Sequence, residues 1–169
     1  MELNTPAPDF VLPDLGQKRH RLSNYHGKIA VVNFWSAECP WSEQSDSEIR
    51  MYSEAWKGRV FVLRVASNAH ETDSMLQDAA QARNLDLILK DSAAQVADLY
   101  EAQTTPHCFV VDENGILRYR GAFDDRTFRN QTASRRYLRE AVDALLLGRL
   151  PDVQETMPYG CTIVRAGQS

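Results

Sequence analysis

The segment Ile29-Ala30-Val31-Val32-Asn33-Phe34-Trp35 constrains this chain more than any other. It is almost continuously apolar and rich in β-branched and aromatic residues. That pattern marks a strand covered on both faces, which occurs where helices pack on either side of a largely parallel sheet. The run is one strand long, far short of the ~20 residues of a membrane helix. It leads into Cys39-Pro40 and a polar-apolar stretch that reaches Trp56 and stops at Gly58. Proline at the first helical position and glycine past the end punctuate a helix. The expected unit is strand, turn, helix, with Cys39 as the N-cap.

The flanking segments supply the rest of an α/β fold. Phe10–Leu12 and His20–Leu22 surround Asp14-Leu15-Gly16-Gln17, which predicts a short N-terminal β-hairpin. Val60–Val65 reads as a second strand. Asp73–Arg83 reads as a helix with Met75, Leu76, Ala79, Ala80 and Ala82 as its apolar positions. Leu87–Leu89 is a short strand, and Ala93–Tyr100 a helix carrying Val96, Leu99 and Tyr100 at helical spacing. Cys108–Val111 and Ile116–Tyr119 flank Asp112-Glu113-Asn114-Gly115, a hairpin turn whose Asn and Gly accept positive φ. Ala133–Leu147 is an amphipathic helix ended by Gly148. Residues 150–169 form a Pro- and Gly-punctuated tail, expected to be flexible and to leave Cys161 exposed. This order predicts a central mixed sheet flanked by helices on both faces. The 169 residues fit a single domain spanning 1–169.

Composition narrows the function. With 19 Lys and Arg against 23 Asp and Glu, the formal charge is −4. No basic excess is available to displace phosphate counterions, so no nucleic-acid partner is expected. The N-terminus, Met1–Pro6, has neither the basic nor the apolar region of a signal peptide. The expectation is therefore a cytoplasmic protein without a membrane partner, in a compartment that keeps resting thiols reduced. Three cysteines are too few, and odd in number, for a secreted disulfide framework. His20, His26 and His70 have no cysteine or carboxylate at ligand spacing, so no metal site and no cofactor are expected.

Cys39 carries the chemistry. The free N–H groups and dipole of a helix N-terminus favour a thiolate, and cysteine pKa values there fall to ~3.5–7.5. Glu38 opposes this through like charge, so moderate activation is expected.

Phe34-Trp35-x-x-x-Cys39-x-x-Ser42 resembles the active-site segment of thioredoxin-like proteins, with Ser42 where a second cysteine would stand. Ala7-Pro8-Asp9-Phe10-x-Leu12-Pro13-x-Leu15-Gly16 and Leu22-Ser23-x-Tyr25-x-Gly27-Lys28 resemble the N-terminal signature of redoxins, the alkyl hydroperoxide reductase/thiol-specific antioxidant group. Further matches include Thr105-Pro106, Phe109-x-x-Asp112-x-x-Gly115-x-Leu117 and Gly160-Cys161-x-Ile163, so the likeness spans most of the chain. The resemblance implies a thioredoxin-like fold and a single-cysteine variant of its active site.

It also implies roles. Thr105-Pro106 falls where the family's cis-proline loop packs beside the active cysteine and offers backbone groups to an extended substrate; an ordinary trans-proline at an edge strand is the alternative. In peroxiredoxins a proline stands seven residues and a threonine three residues before the reactive cysteine. Val32 and Ser36 hold those positions here, so only Ser36 offers a hydroxyl. Arg118, in Gly115-Ile116-Leu117-Arg118, matches the arginine that supports the thiolate and peroxide, unless it is a solvated strand residue. Cys161 is the candidate resolving thiol, against an incidental surface cysteine. A Cys39–Cys161 disulfide would need Cα atoms within about 7 Å. His107 is either a proton carrier beside Cys39 or a surface histidine. Cys108 and Trp35 read as core, and Trp41 as the rim of the site.

The expected function is thiol-dependent oxidoreduction, with Cys39 attacking a peroxide or a disulfide. Cys161 or an external thiol, such as thioredoxin or glutathione, resolves the intermediate. The alternative is a non-catalytic thioredoxin-like module that binds a peptide or senses redox state.

Overall fold

The computed structural model describes residues 1–167. A hairpin of β1 (Val11–Pro13) and β2 (Arg19–Arg21) comes first, then β3 (Ile29–Trp35), α1 (Pro40–Trp56), β4 (Val60–Ala66), α2 (Asp73–Ala82) and β5 (Ile88–Lys90). Next are α3 (Gln95–Leu99), β6 (Thr104–Thr105), β7 (His107–Val111), β8 (Leu117–Gly121), α4 (Tyr137–Leu146) and β9 (Cys161–Thr162). The main sheet runs β5-β4-β3-β7-β8. β3 pairs in parallel with β4 and antiparallel with β7, so the strand before Cys39 lies at its centre. This is a thioredoxin-like α/β fold with the N-terminal hairpin that the sequence predicts.

Every residue of β3 is buried. Successive side chains point to opposite faces of a strand. Ala30, Val32 and Phe34 therefore join one core with Phe10, Tyr100 and Phe109, while Ile29 and Val31 join another with Ile49, Trp56, Val110 and Leu138. The hairpin and α3 cover the first face; α1 and α4 cover the second. Phe34 and Phe109 meet edge-on with centroids 5.6 Å apart. Truncating either to alanine costs ~3–5 kcal/mol.

Three expectations need correction. Leu99 is exposed, and α3 starts only at Gln95, where Asp91 accepts from the Val96 and Ala97 amides. Residues 133–136 lie outside α4: Asp125 donates its amide to the Arg135 carbonyl and accepts from the Ser134 amide, which holds this lead-in as loop. The tail is docked rather than flexible. The Thr156 amide donates to the Arg120 carbonyl of β8 and the Arg120 amide to the Gln154 carbonyl, β9 pairs with β6, and Ile163 is buried in the core. Gln168 and Ser169, the end of the expected tail, lie outside the described residues.

Candidate functional site

The turn between β3 and α1 is held from below. Glu71 accepts from the Ser36 hydroxyl at 2.5 Å, the Ala37 amide at 2.7 Å and the Asn68 side chain at 2.8 Å. Arg83 donates to the Ser36 and Ala37 carbonyls and lies over the Trp35 ring. Beneath it, the buried Asp46 carboxylate accepts from Trp35 Nε1 and Arg64 Nε, both at 2.7 Å, and from Arg83. Burying a carboxylate is costly unless such donors replace water. Ser42 Oγ accepts the Ser36 amide, so it braces the turn from the helix side.

Cys39 is the N-cap of α1, with extended backbone, and is 2% exposed. The Thr105-Pro106 peptide is cis, as the resemblance implies. As a thiol, Cys39 donates to the Thr105 carbonyl at 3.0 Å; its sulfur lies 2.6 Å from Cys161 Sγ. Burial disfavours the Cys39 thiolate. The Cys161 thiol against its sulfur, with the Thr105 hydroxyl and the Ser42 and Cys161 amides nearby, outweighs it, and the Cys39 pKa falls below its usual value. Burial, contact with Cys39 and the nearby Glu71 charge push Cys161 up to about 12. Of the two sulfurs, Cys39 is thus the more readily ionised and Cys161 the one that holds its proton.

Two close approaches bring Cys161 here. A Cβ on Gly160 would stand 2.1 Å from the Thr105 carbonyl oxygen, so only glycine lets the tail lie against the Thr105-Pro106 peptide. At Gly121, with φ +146°, a Cβ would stand 2.2 Å from the Thr156 hydroxyl. Between them β9 pairs antiparallel with β6, Cys161 opposite Thr105. The Ile163 amide donates to the Gln103 carbonyl and the Val164 amide to Asn68. At about 1 kcal/mol net per hydrogen bond and ~1.5–3 kcal/mol for burying Ile163, the tail is firmly but reversibly seated.

Cys39, Cys161, Thr105 and Pro106 therefore converge as the resemblance implies, and two other expected residues do not join them. Arg118 belongs to the far end of the sheet. Val111 pairs with both Ala30 and Leu117, which sets Arg118 beside the start of β3, whereas Cys39 lies beyond its end. There its guanidinium pairs with Asp112 at 2.8 Å and donates to Asn4. Ser36 lies in the correct turn, but its hydroxyl is committed to Glu71; the side chain against the Cys39 sulfur is that of Cys161. Glu38 pairs with His70 at 3.0 Å instead of opposing the thiolate. His107 is buried in β7, accepting the Gln103 amide on Nδ1 and packing on Phe109. Cys108 is fully buried and its thiol pushed up by burial. Trp35 is core and Trp41 packs edge-on against Tyr159 beside Pro106, a rim position.

The fold also brings together Glu38, His70 and Glu71, with ligand atoms within 4.8 Å of one another, which the sequence spacing conceals. A cation there would compete with the three hydrogen bonds by which Glu71 holds the turn. A cleft of about 410 Å³ lies elsewhere, lined by Tyr100, Gln103, His107, Phe109, Arg120 and Met157. Among the described residues, no helix is long and apolar enough to cross a membrane.

Residues 3–120 match the AhpC/TSA family. The thiol-disulfide oxidoreductase ResA of Geobacillus kaustophilus is 34% identical over 118 residues, 69% of this chain and 67% of that protein. The thiol:disulfide interchange protein DsbE of Allochromatium vinosum is 28% identical over 120 residues, 70% of this chain and 65% of that protein. A crystal structure of a hypothetical protein from Sinorhizobium meliloti superposes with a TM-score of 0.88 at 29% identity, covering 99% of this chain and 97% of that one. The family match stops before the tail, whereas the superposition includes it. With the match covering well over half its length, the chain belongs to the AhpC/TSA family.

Proposed function

We propose that the protein catalyses thiol–disulfide exchange with Cys39 and Cys161 as its working pair. Thiol-dependent oxidoreduction is the chemistry that the family and the named relatives support. The observation that carries the finer reading is the contact of two sulfurs, 2.6 Å apart, beside a cis-proline. The Cys39 thiolate attacks one sulfur of a substrate disulfide. The substrate S–S bond breaks and its second sulfur leaves as a thiolate, which takes up a proton. Cys161 then loses its proton and attacks Cys39 Sγ in the mixed disulfide, releasing the remaining substrate thiol. The substrate gains two electrons, and the pair becomes a Cys39–Cys161 disulfide. An external thiol reductant, of the thioredoxin or glutathione class, returns the pair to the dithiol by the same exchange.

Peroxide reduction has less support. Arg118 is engaged at the other end of the sheet and Ser36 is committed to Glu71, so neither stands ready to polarise a peroxide bond. The test is stopped-flow mixing of the reduced protein with a disulfide, followed by acid quench and peptide mapping. The expected product is a Cys39–Cys161 link, with a mixed disulfide on Cys39 accumulating in Cys161→Ser. A Cys39→Ser variant that keeps full activity overturns the reading.

A further inference from the structure

β6 is two residues long, and its hydrogen-bonded neighbour is β9. A polypeptide bringing a disulfide to Cys39 as an extended strand along Thr104–Thr105 needs the position that Cys161–Thr162 already holds. The crevice beside Pro106 offers no second berth. The crevice bounded by Trp41, Pro106, Phe123 and Tyr159 has about 10 Å³ of free volume, scarcely room for one water. Tyr159 is fixed there by the Trp41 ring and by the Phe128 amide, which donates to its hydroxyl. Cys161 is itself partly exposed, so parting the two sulfurs locally opens Cys39 to a small molecule. Admitting a strand requires all of β9 to leave, with its pairing to β6 and the Ile163 anchor.

We propose that Gly160 is a specificity-determining residue: by letting β9 occupy the β6 edge, it restricts Cys39 to low-molecular-weight disulfides and excludes extended polypeptide disulfides. The inference rests on the exchange reading above and adds the substrate class. The tail is thus a tethered competitor for the strand position beside the nucleophile. Glycine is required because any side chain at 160 would meet the Thr105 carbonyl. The chemical step is unchanged: Cys39 forms the new S–S bond, and the substrate's other sulfur departs with the electron pair of the broken one.

The test uses Cys161→Ser, which retains the strand and stops the reaction at the Cys39 mixed disulfide. Bis(2-hydroxyethyl) disulfide is the small probe and insulin the polypeptide probe, with mixed-disulfide formation followed by mass spectrometry. The small probe is expected to react at least 100-fold faster per disulfide. Adding Gly160→Ala is expected to raise the insulin rate, relative to the small-probe rate of the same variant, tenfold or more. Ile163→Ala, which loosens the same strand from its other end without touching the Cys39 site, is expected to act in the same direction. Equal rates for both probes in Cys161→Ser, or an unchanged ratio in both added variants, overturn the proposal alone. If Cys39 reacts with neither disulfide, the exchange reading falls and takes this proposal with it.

Discussion

Cys39 Sγ touches Cys161 Sγ at 2.6 Å although 122 residues separate them. A local two-cysteine motif closes a tiny loop; this pair closes most of the chain. Loop-closure entropy grows with the length enclosed. The oxidised protein is therefore expected to be more stable than the reduced one by ~2–4 kcal/mol. Urea unfolding of both forms, with and without Cys161→Ser, measures this, and a difference near zero would contradict it.

The pair also sets a pH dependence. Cys39 is held below its usual pKa partly by the Cys161 thiol. Its alkylation by iodoacetamide should have a midpoint below the free-thiol value of ~8.5. Cys161→Ala removes that donor and should move the midpoint upward, slowing Cys39 at pH 7. A midpoint that stays in place would show that the Cys161 thiol does not contribute.

Asp46 should matter more for folding than for chemistry. Replacing it by alanine strands the buried Arg64 guanidinium and the Trp35 indole N–H and removes one partner of the half-buried Arg83. Breaking a buried pair from one side typically costs ~3–5 kcal/mol. Thermal unfolding of Asp46→Ala is expected to show that loss. A shift in Tm of only a degree or two would mean that water reaches the network.

His107 provides a second pH signature. Burial and the Arg120 charge lower its pKa to about 4 from 6.5. The unfolded chain therefore takes up a proton at a higher pH than the folded one. The protein should lose stability as pH falls below 6.5, level off near 4, and lose on the order of 3 kcal/mol in all from this group. His107→Gln should flatten that part of the profile in urea titrations between pH 7 and 4. A profile identical to wild type would show that His107 protonates without cost.

The sequence revealed what depends on local pattern and concealed what depends on distant partners. The buried run of β3 and the N-cap position of Cys39 are legible because alternation and Pro40 act within a few residues. Glu71, Asp46, Arg64 and Arg83 were missed: each reads as an ordinary surface charge until the fold draws them together under one turn. Arg118 misleads for the opposite reason. Its motif is present, but the β7–β8 register carries it to the wrong end of the sheet. The tail misleads through composition. Its glycines read as punctuation, yet Gly160 is there because a neighbouring carbonyl comes too close for any side chain.

Cys108 is sealed behind β3 with its sulfur 3.7 Å from the Asn33 side-chain oxygen, and no solvent reaches it. A thiol reagent can find it only when the central strands separate. The protein thus contains its own gauge of global opening: Cys39 and Cys161 report on traffic at the site, and Cys108 records, one molecule at a time, each visit to the unfolded state.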